Sequence, residues 1–244
     1  MTKQYETLYV FGDSFSTPNY FVNPKESFWG LLADYANVNT IINYSRLAHP
    51  WDGVKQTLVS ESNSIKWETS LLLIGIPPLE RLLVFDDHQD TTWNYYKFDK
   101  NWNEEQSIVE CERGLISRRH YETPADVAIF ADRSWVETFT LRDLFLIDKW
   151  LTSVNANYMF INLGGKDFDR NNMWGPSSFV LPYFLNHDRS ILFENGYHSI
   201  NEQDEIMPPD GHDGLGYMGH HGPEGNANFF QKSLLPKLKD VKLI

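Results

Sequence analysis

Short apolar runs that alternate with helical patterns constrain the fold of this 244-residue chain more than any other feature. Near the start of the chain, apolar runs at 8–11, 40–44 and 70–74 have the length and composition of β-strands. Between them lie two helical patterns, one from Ser27 to about residue 37 and one that follows Gly53. Right-handed crossovers join such strands into a parallel sheet, so the sequence predicts an α/β protein.

The alternation continues with one interruption. Residues 85–135 are acidic and aromatic with weak periodicity, and we interpret them as an insertion over the active edge of the sheet. The capping-box spacing Thr140-Leu-Arg-Asp143 predicts a helix to about residue 151, before a strand at 158–163. Pro223 suits the first turn of a last helix that ends near residue 235. With no internal repeat, we predict one domain over residues 1–244.

The charge argues against nucleic acid as a partner. The chain has 33 acidic and 21 basic side chains and a formal net charge of −12, whereas phosphate binding needs a basic surface. No apolar run reaches the roughly 18 residues that span a bilayer, and the first residues lack a secretory signal. We therefore expect a soluble protein made in the cytoplasm and no membrane partner. Cys111 is the only cysteine, so no internal disulfide can form.

The first predicted strand ends in a polar turn that carries a serine. The chain reads Gly12-Asp13-Ser14-Phe15-Ser16 directly after the apolar run. Gly12 tolerates the backbone angles of a sharp exit, and the Asp13 side chain can brace the turn. In open α/β sheets, ligands and catalytic groups collect at the carboxyl ends of the strands. The sequence thus places Ser14 at that edge.

This strand and turn resemble the first block of the SGNH hydrolases, the GDSL-like esterase family. The resemblance implies a flavodoxin-like three-layer α/β/α sandwich with a mostly parallel sheet. It also implies that Ser14 is the nucleophile and that no cofactor takes part. Divergent members of the family, many of them encoded by phages, are similar to this chain in carrying an arginine after the third strand.

The far end of the chain supplies the second match. The segment His220-His221-Gly-Pro-Glu-Gly225 leads into an apolar helix and is similar to the family's last block. The resemblance implies that His220 is the base that takes the proton of Ser14, with His221 as the alternative. Such a base is required because a serine hydroxyl is a poor nucleophile at neutral pH.

The acid that orients the histidine is less well marked. The family usually places an Asp three residues before the catalytic histidine, where this chain has Tyr217. Asp213 and Asp210 can reach the imidazole through a Gly-rich loop, and we favour Asp213. A serine–histidine dyad without an acid also fits the sequence.

The resemblance further implies an oxyanion hole and a substrate-binding set. Its donors are the Ser14 N–H, a second-block N–H near Ala48 and an Asn in the third block. The third block here, residues 75–81, has no Asn, and Pro77 has no N–H. Losing one such donor costs about 2.7–4 kcal/mol of transition-state stabilisation. Arg81 is the candidate substitute for the missing Asn, although a role in a structural ion pair is an equally good interpretation of this arginine. Asp13 is a further candidate binding residue.

These residues predict a serine esterase acting on small acyl esters, such as O-acetyl groups on a carbohydrate. Two other hypotheses remain. In the first, the chain keeps the fold without catalysis and serves as a binding module for a glycan or on a virion surface. The missing Asn of the third block favours this hypothesis. The second is a metal site made by His212, Asp213, His220 and His221, which are reasonable zinc ligands at a spacing that matches no established motif.

Overall fold

The computed structural model describes most of the predicted sheet and its helices. The described residues are 4–13, 15–17, 23–46, 49, 51–77, 92–99, 107–112, 133–164, 187–192, 196–206 and 221–244. Among the described helices, none combines the length and the apolar character that crossing a membrane requires.

The described residues form a seven-stranded sheet in the order β5-β4-β2-β1-β3-β6-β7. The strands are β1 Thr7–Phe11, β2 Thr40–Asn43, β3 Ser70–Ile76, β4 Thr92–Asp99, β5 Ser107–Glu112, β6 Asn157–Asn162 and β7 Ser190–Ile191. All pairings among β2, β1, β3, β6 and β7 are parallel. Counted along the chain, these five strands have the flavodoxin-like order 2-1-3-4-5. The predicted fold class and mostly parallel sheet are therefore confirmed.

Helices cover both faces of the sheet, which makes the three layers. They are α1 Phe28–Ala36, α2 Trp51–Glu61, α3 Arg133–Ser153, α4 Tyr197–Gln203, α5 Pro223–Phe229 and α6 Leu235–Asp240. Side chains of β1 alternate between two buried clusters, with Leu8 and Val10 in one and Tyr9 and Phe11 in the other. The first cluster includes residues of α1, α4, α5 and α6, namely Leu32, Ile200, Phe229 and Leu238. The second includes residues of α2 and α3, namely Leu58, Leu144 and Leu151.

Two stretches of the predicted insertion are strands. β4 pairs antiparallel with β2, and β5 pairs antiparallel with β4, so both extend the sheet beyond β2. Residues 85–91, 100–106 and 113–132 of this segment lie outside the described residues. The position of the insertion over the active edge therefore stays a prediction.

Besides α2, which begins at Trp51 and not after Gly53, two helix boundaries differ more widely from those predicted. The helix predicted from Thr140 begins at Arg133, because residues 133–139 contain no Gly or Pro to interrupt it. Asp143 therefore lies inside α3, where its carboxylate accepts a hydrogen bond from Lys55 of α2 at 2.5 Å.

The last helical segment continues past residue 235 to Asp240. A π-helical stretch, Phe230–Leu234, joins α5 to α6, and the Leu235 N–H donates to the carbonyl of Phe230, five residues back. This wider turn directly precedes Pro236, which has no N–H for an ordinary helical hydrogen bond. The helical segment continues through this proline to Asp240.

Candidate functional site

The turn after β1 is held by hydrogen bonds on both sides of Ser14. The Asp13 side chain is fully buried, and its Oδ1 accepts the Phe15 N–H at 3.0 Å. The Asp13 carbonyl accepts the N–H groups of Ser16 and Thr17, each at 3.0 Å. Ser14 itself lies outside the described residues, but the residues that precede and follow it are fixed. The sequence prediction that Asp13 braces the turn is consistent with these bonds.

The same turn is joined to β2 and to α1. The Ser16 carbonyl accepts the Trp29 indole N–H at 2.9 Å and the Asn43 amide at 2.7 Å. Asn43 is the last residue of β2 and is fully buried, and its Oδ1 accepts the Ser45 N–H at 2.8 Å. The described residues after Ser14 are therefore held against both β2 and α1.

The segment after β2, where the resemblance placed a second oxyanion donor, runs close to the turn. The Arg46 N–H donates to the Gly12 carbonyl at 3.3 Å, and the His49 N–H donates to the Arg46 carbonyl at 3.4 Å. The His49 ring is buried and lies so close to Gly53 that a Cβ there would be 2.2 Å from its Nε2. Ala48 lies outside the described residues, between these two anchored positions.

The turn before α5 is equally constrained. The His221 side chain is buried, and its backbone carbonyl accepts hydrogen bonds from the Asn226 amide at 3.1 Å and the Tyr197 hydroxyl at 3.4 Å. The Asn226 Oδ1 accepts the N–H of Phe28, the first residue of α1, at 3.0 Å. A Cβ at Gly225 would be 2.4 Å from the His221 Cβ, so only glycine permits this approach.

Aromatic rings connect the two turns. The Phe15 ring lies 4.5 Å from the His198 ring and 6.0 Å from the Tyr197 ring, measured between centroids. The His198 and His221 rings lie 4.9 Å apart, and Nδ1 of His198 is 3.1 Å from Nε2 of His221. We call Phe15, Tyr197, His198 and His221 the aromatic bridge. It spans from the residue after Ser14 to the residue after His220.

Sequence reasoning missed two members of this bridge. Tyr197 and His198 lie between the strand predicted at 158–163 and the His220-His221 turn, where the sequence predicts no element and no motif marks them. They lie in the first turn of α4, and Ile200 of the same helix packs in the core. The only available signal was the apolar spacing of Tyr197 and Ile200, which is weak for so short a helix.

Burial controls the protonation of His221 and Tyr197. Desolvation lowers the pKa of His221 from 6.5 to about 4, and a backbone group of Ile206 acts in the opposite direction. The His221 ring is therefore neutral at pH 7. Burial also raises the pKa of Tyr197, the Asp13 charge adds to this effect, and the hydrogen bond from Asn226 opposes it. Tyr197 thus stays a neutral phenol that can donate a hydrogen bond.

Most predicted site residues lie outside the described part of the chain. These are Ser14, Ala48, Arg81, Asp210, His212, Asp213 and His220, whereas Asp13 and His221 are described. The described residues contain no group of three or more His, Cys, Asp or Glu side chains placed to hold a metal ion. Three of the four residues in the metal hypothesis are among those not described, so that hypothesis is untested.

Comparisons with known proteins give distant likenesses to solved structures. No protein-family model and no curated protein sequence matches the chain. The chain is similar to the crystal structure of a member of the lipolytic protein G-D-S-L family from Veillonella parvula, at 13% identity and a TM-score of 0.48, over 96% of this chain and 97% of that one. It is also similar to a carbohydrate esterase whose active site displays divergent catalytic and non-catalytic binding functions, at 12% identity and a TM-score of 0.44, over 100% of this chain and 70% of that one. At such scores, neither likeness identifies the function of this chain.

Proposed function

We propose that this chain is a serine esterase that hydrolyses small acyl esters, such as O-acetyl groups on a carbohydrate. Ser14 is the nucleophile, His220 is the general base and then the general acid, and Asp213 orients the imidazole. The N–H groups of Ser14 and Ala48 bind the oxyanion, with Arg81 as an added cationic donor.

The observation that carries the proposal is the aromatic bridge. Ser14 directly precedes Phe15, and His220 directly precedes His221. Neighbouring Cα atoms are about 3.8 Å apart, so each proposed catalytic residue is one step from a member of the bridge. Because the Phe15 ring contacts the His198 ring and the His198 ring contacts the His221 ring, the segments that directly follow Ser14 and His220 come together in the fold. A serine and a histidine from opposite ends of the sequence need such a meeting to exchange a proton.

The reaction follows from these roles. His220 removes the proton from Ser14 Oγ as that oxygen attacks the acyl carbon, and the backbone N–H groups stabilise the tetrahedral oxyanion. His220 then returns the proton to the departing alcohol oxygen, which leaves an acyl-serine. Water, deprotonated by His220, attacks the acyl carbon and releases the carboxylic acid and free Ser14. Each hydrolysis consumes one water and no cofactor.

The anchored turn suits this chemistry. Oxyanion stabilisation depends on donors that need no reorganisation as charge develops. The hydrogen bonds of Asp13 fix the backbone at both neighbours of Ser14, and those of Arg46 tie the second-block segment to Gly12. The proposed donors at positions 14 and 48 each lie in the sequence between residues that are anchored in this way.

The test is hydrolysis of a chromogenic acetate ester by wild type and by Ser14→Ala. We expect the variant to lose activity while its melting temperature stays close to that of wild type. Ser60→Ala is the matched control, because Ser60 lies on α2 and its hydroxyl donates to the Thr57 carbonyl. The control should retain full activity. Full activity in Ser14→Ala would overturn the proposal.

A binding module without catalysis is the second candidate. It is favoured by the third block, residues 75–81, which contains no Asn to complete the oxyanion hole and has Pro77 directly after the end of β3. A fluorophosphonate probe separates the two functions, since it labels only an activated serine. Labelling of wild type but not of Ser14→Ala supports the esterase, and no labelling together with glycan binding supports the binding module.

A further inference from the structure

His198 contacts both turns of the proposed site. Its ring packs edge-on against Phe15, with the ring planes at 86°, and its Nδ1 is 3.1 Å from Nε2 of His221. It therefore lies between the residue after Ser14 and the residue after His220. No sequence motif marks His198.

The helix that carries His198 is firmly placed. Tyr197 is buried at 1% exposure, and the Phe28 and Phe229 rings lie 5.7 and 5.4 Å from its ring. Asn201, also fully buried, donates its amide hydrogen to the Tyr197 carbonyl at 2.9 Å. The His198 ring thus projects from a fixed helical turn.

The contact between the two imidazoles has a directional consequence. Nδ1 of His198 and Nε2 of His221 can bond only if one carries a hydrogen and the other a lone pair. The bond therefore couples the tautomers of the two rings and holds the orientation of the His221 ring. The carbonyl of the same residue is held by Asn226 and Tyr197, so both the ring and the backbone of His221 are constrained.

We infer that His198 is a positioning residue, which aligns the turn carrying His220 with the turn carrying Ser14. The inference rests on the proposed function, because it assigns His198 a role in that reaction. His198 acts through Phe15 and His221 and need not touch the substrate. A small displacement of the base relative to the nucleophile costs up to about 100-fold in rate, which is why such alignment matters.

Three variants test the inference. His198→Phe keeps a planar ring against Phe15 but removes the hydrogen bond to His221, and His198→Asn keeps a polar group near the position of Nδ1. His187→Asn is the matched control. His187 contacts the Asp148 carboxylate of α3 at 2.7 Å, and α3 packs on the face of the sheet opposite to α4. Melting temperature, kcat and KM are measured for each with the chromogenic acetate ester, beside wild type and Ser14→Ala.

We expect His198→Phe to lower kcat by about 10- to 100-fold with little change in KM. His198→Asn should recover most of that loss, and His187→Asn should keep the wild-type kcat even if it melts at a lower temperature. A structural role alone predicts that the Phe variant, the better packing match, keeps its kcat. Wild-type kcat in His198→Phe would overturn the inference, while the loss of activity in Ser14→Ala would leave the proposed function standing.

A second measurement decides the case in which wild type shows no esterase activity. The proposed function then fails, and the ring nitrogens of 15N-labelled histidine are observed by NMR. A single hydrogen-bonded tautomer of His221 in wild type and His198→Asn, replaced by a mixture in His198→Phe, supports orientation by His198. An unchanged His221 tautomer in His198→Phe overturns the inference, even when kcat cannot be measured.

Discussion

Replacing Asn226 by leucine, which has nearly the same shape, removes the side chain that joins α1 to the turn before α5. Asn226 is 3% exposed, and its Oδ1 accepts the Phe28 N–H while its amide donates to the His221 carbonyl. The Phe28 N–H belongs to the first turn of α1, where the helix itself offers it no acceptor. In the leucine variant this N–H is buried without its partner.

The size of the effect follows from these bonds. An unpaired buried N–H costs about 1–3 kcal/mol, and losing the hydrogen bond to the His221 carbonyl costs about 1 kcal/mol more. The Asn226 amide also donates to the Gly222 carbonyl at 3.0 Å. Losing this bond costs less, because that carbonyl still accepts the backbone N–H of residue 226 at 3.1 Å. We therefore expect a loss of about 2–4 kcal/mol in the free energy of unfolding. For a chain of this size, this corresponds to a melting temperature lower by roughly 4–16 °C.

The assay is urea denaturation followed by fluorescence, together with a thermal melt, for Asn226→Leu and for Asn228→Ala. Asn228 lies two positions later on the same helix, and its amide donates to Asn201 and Asp204 at 3.1 and 2.8 Å in a half-buried setting. Its loss should cost about 1 kcal/mol, because water can replace the partners. Equal destabilisation by the two variants would refute the reasoning, since it would show that Asn226 has no special linking role.

Three further predictions concern stability. Because burial lowers the pKa of His221 to about 4, its contribution to folding is complete above pH 6.5 and is lost as the pH falls from 6.5 towards 4. Between pH 7 and 4.5, wild type should therefore lose about 2–3 kcal/mol more unfolding free energy than His221→Gln, and equal losses would contradict the assignment. Asp13→Ala should lower the free energy of unfolding by about 1–3 kcal/mol, because the Phe15 N–H loses its acceptor. Asp13→Asn keeps an oxygen at that position and should stay closer to wild type in urea titrations. Gly30→Ala would place a Cβ 2.0 Å from the backbone oxygen of Pro24, and Gly53→Ala would place one 2.2 Å from the side chain of His49. Both variants should lose about 1–3 kcal/mol or more of unfolding free energy, measured from the denaturation midpoint. Gly30→Ala should lose more, because the backbone of Pro24 cannot rotate away as a side chain can. The reverse order would contradict this reasoning.

The architecture was predictable because it depends on patterns that are local in sequence. The apolar run of β3, all of whose residues are buried, and the Ser27 cap of α1, whose hydroxyl accepts the Gly30 N–H, each carry their own signal. The boundaries that sequence reasoning missed have competing local signals. Thr140 belongs to a capping-box pattern that also occurs inside a helix, and Pro236 follows a π-helical stretch that no residue pattern announces.

The sequence by itself determined the α/β class, the place of the Gly12-Asp13-Ser14 turn at the end of β1, and the position of the His220-His221 turn before α5. Only the tertiary structure decided that Tyr197 and His198 stand between those turns and that Asn226 joins α1 to one of them. The physical reason is the range of the interactions. Strands, caps and turns follow from bonds among near neighbours. In contrast, Phe15 meets Tyr197 and His198 across about 180 positions, and Phe28 meets Asn226 across 198 positions, so both contacts depend on how the whole sheet is packed.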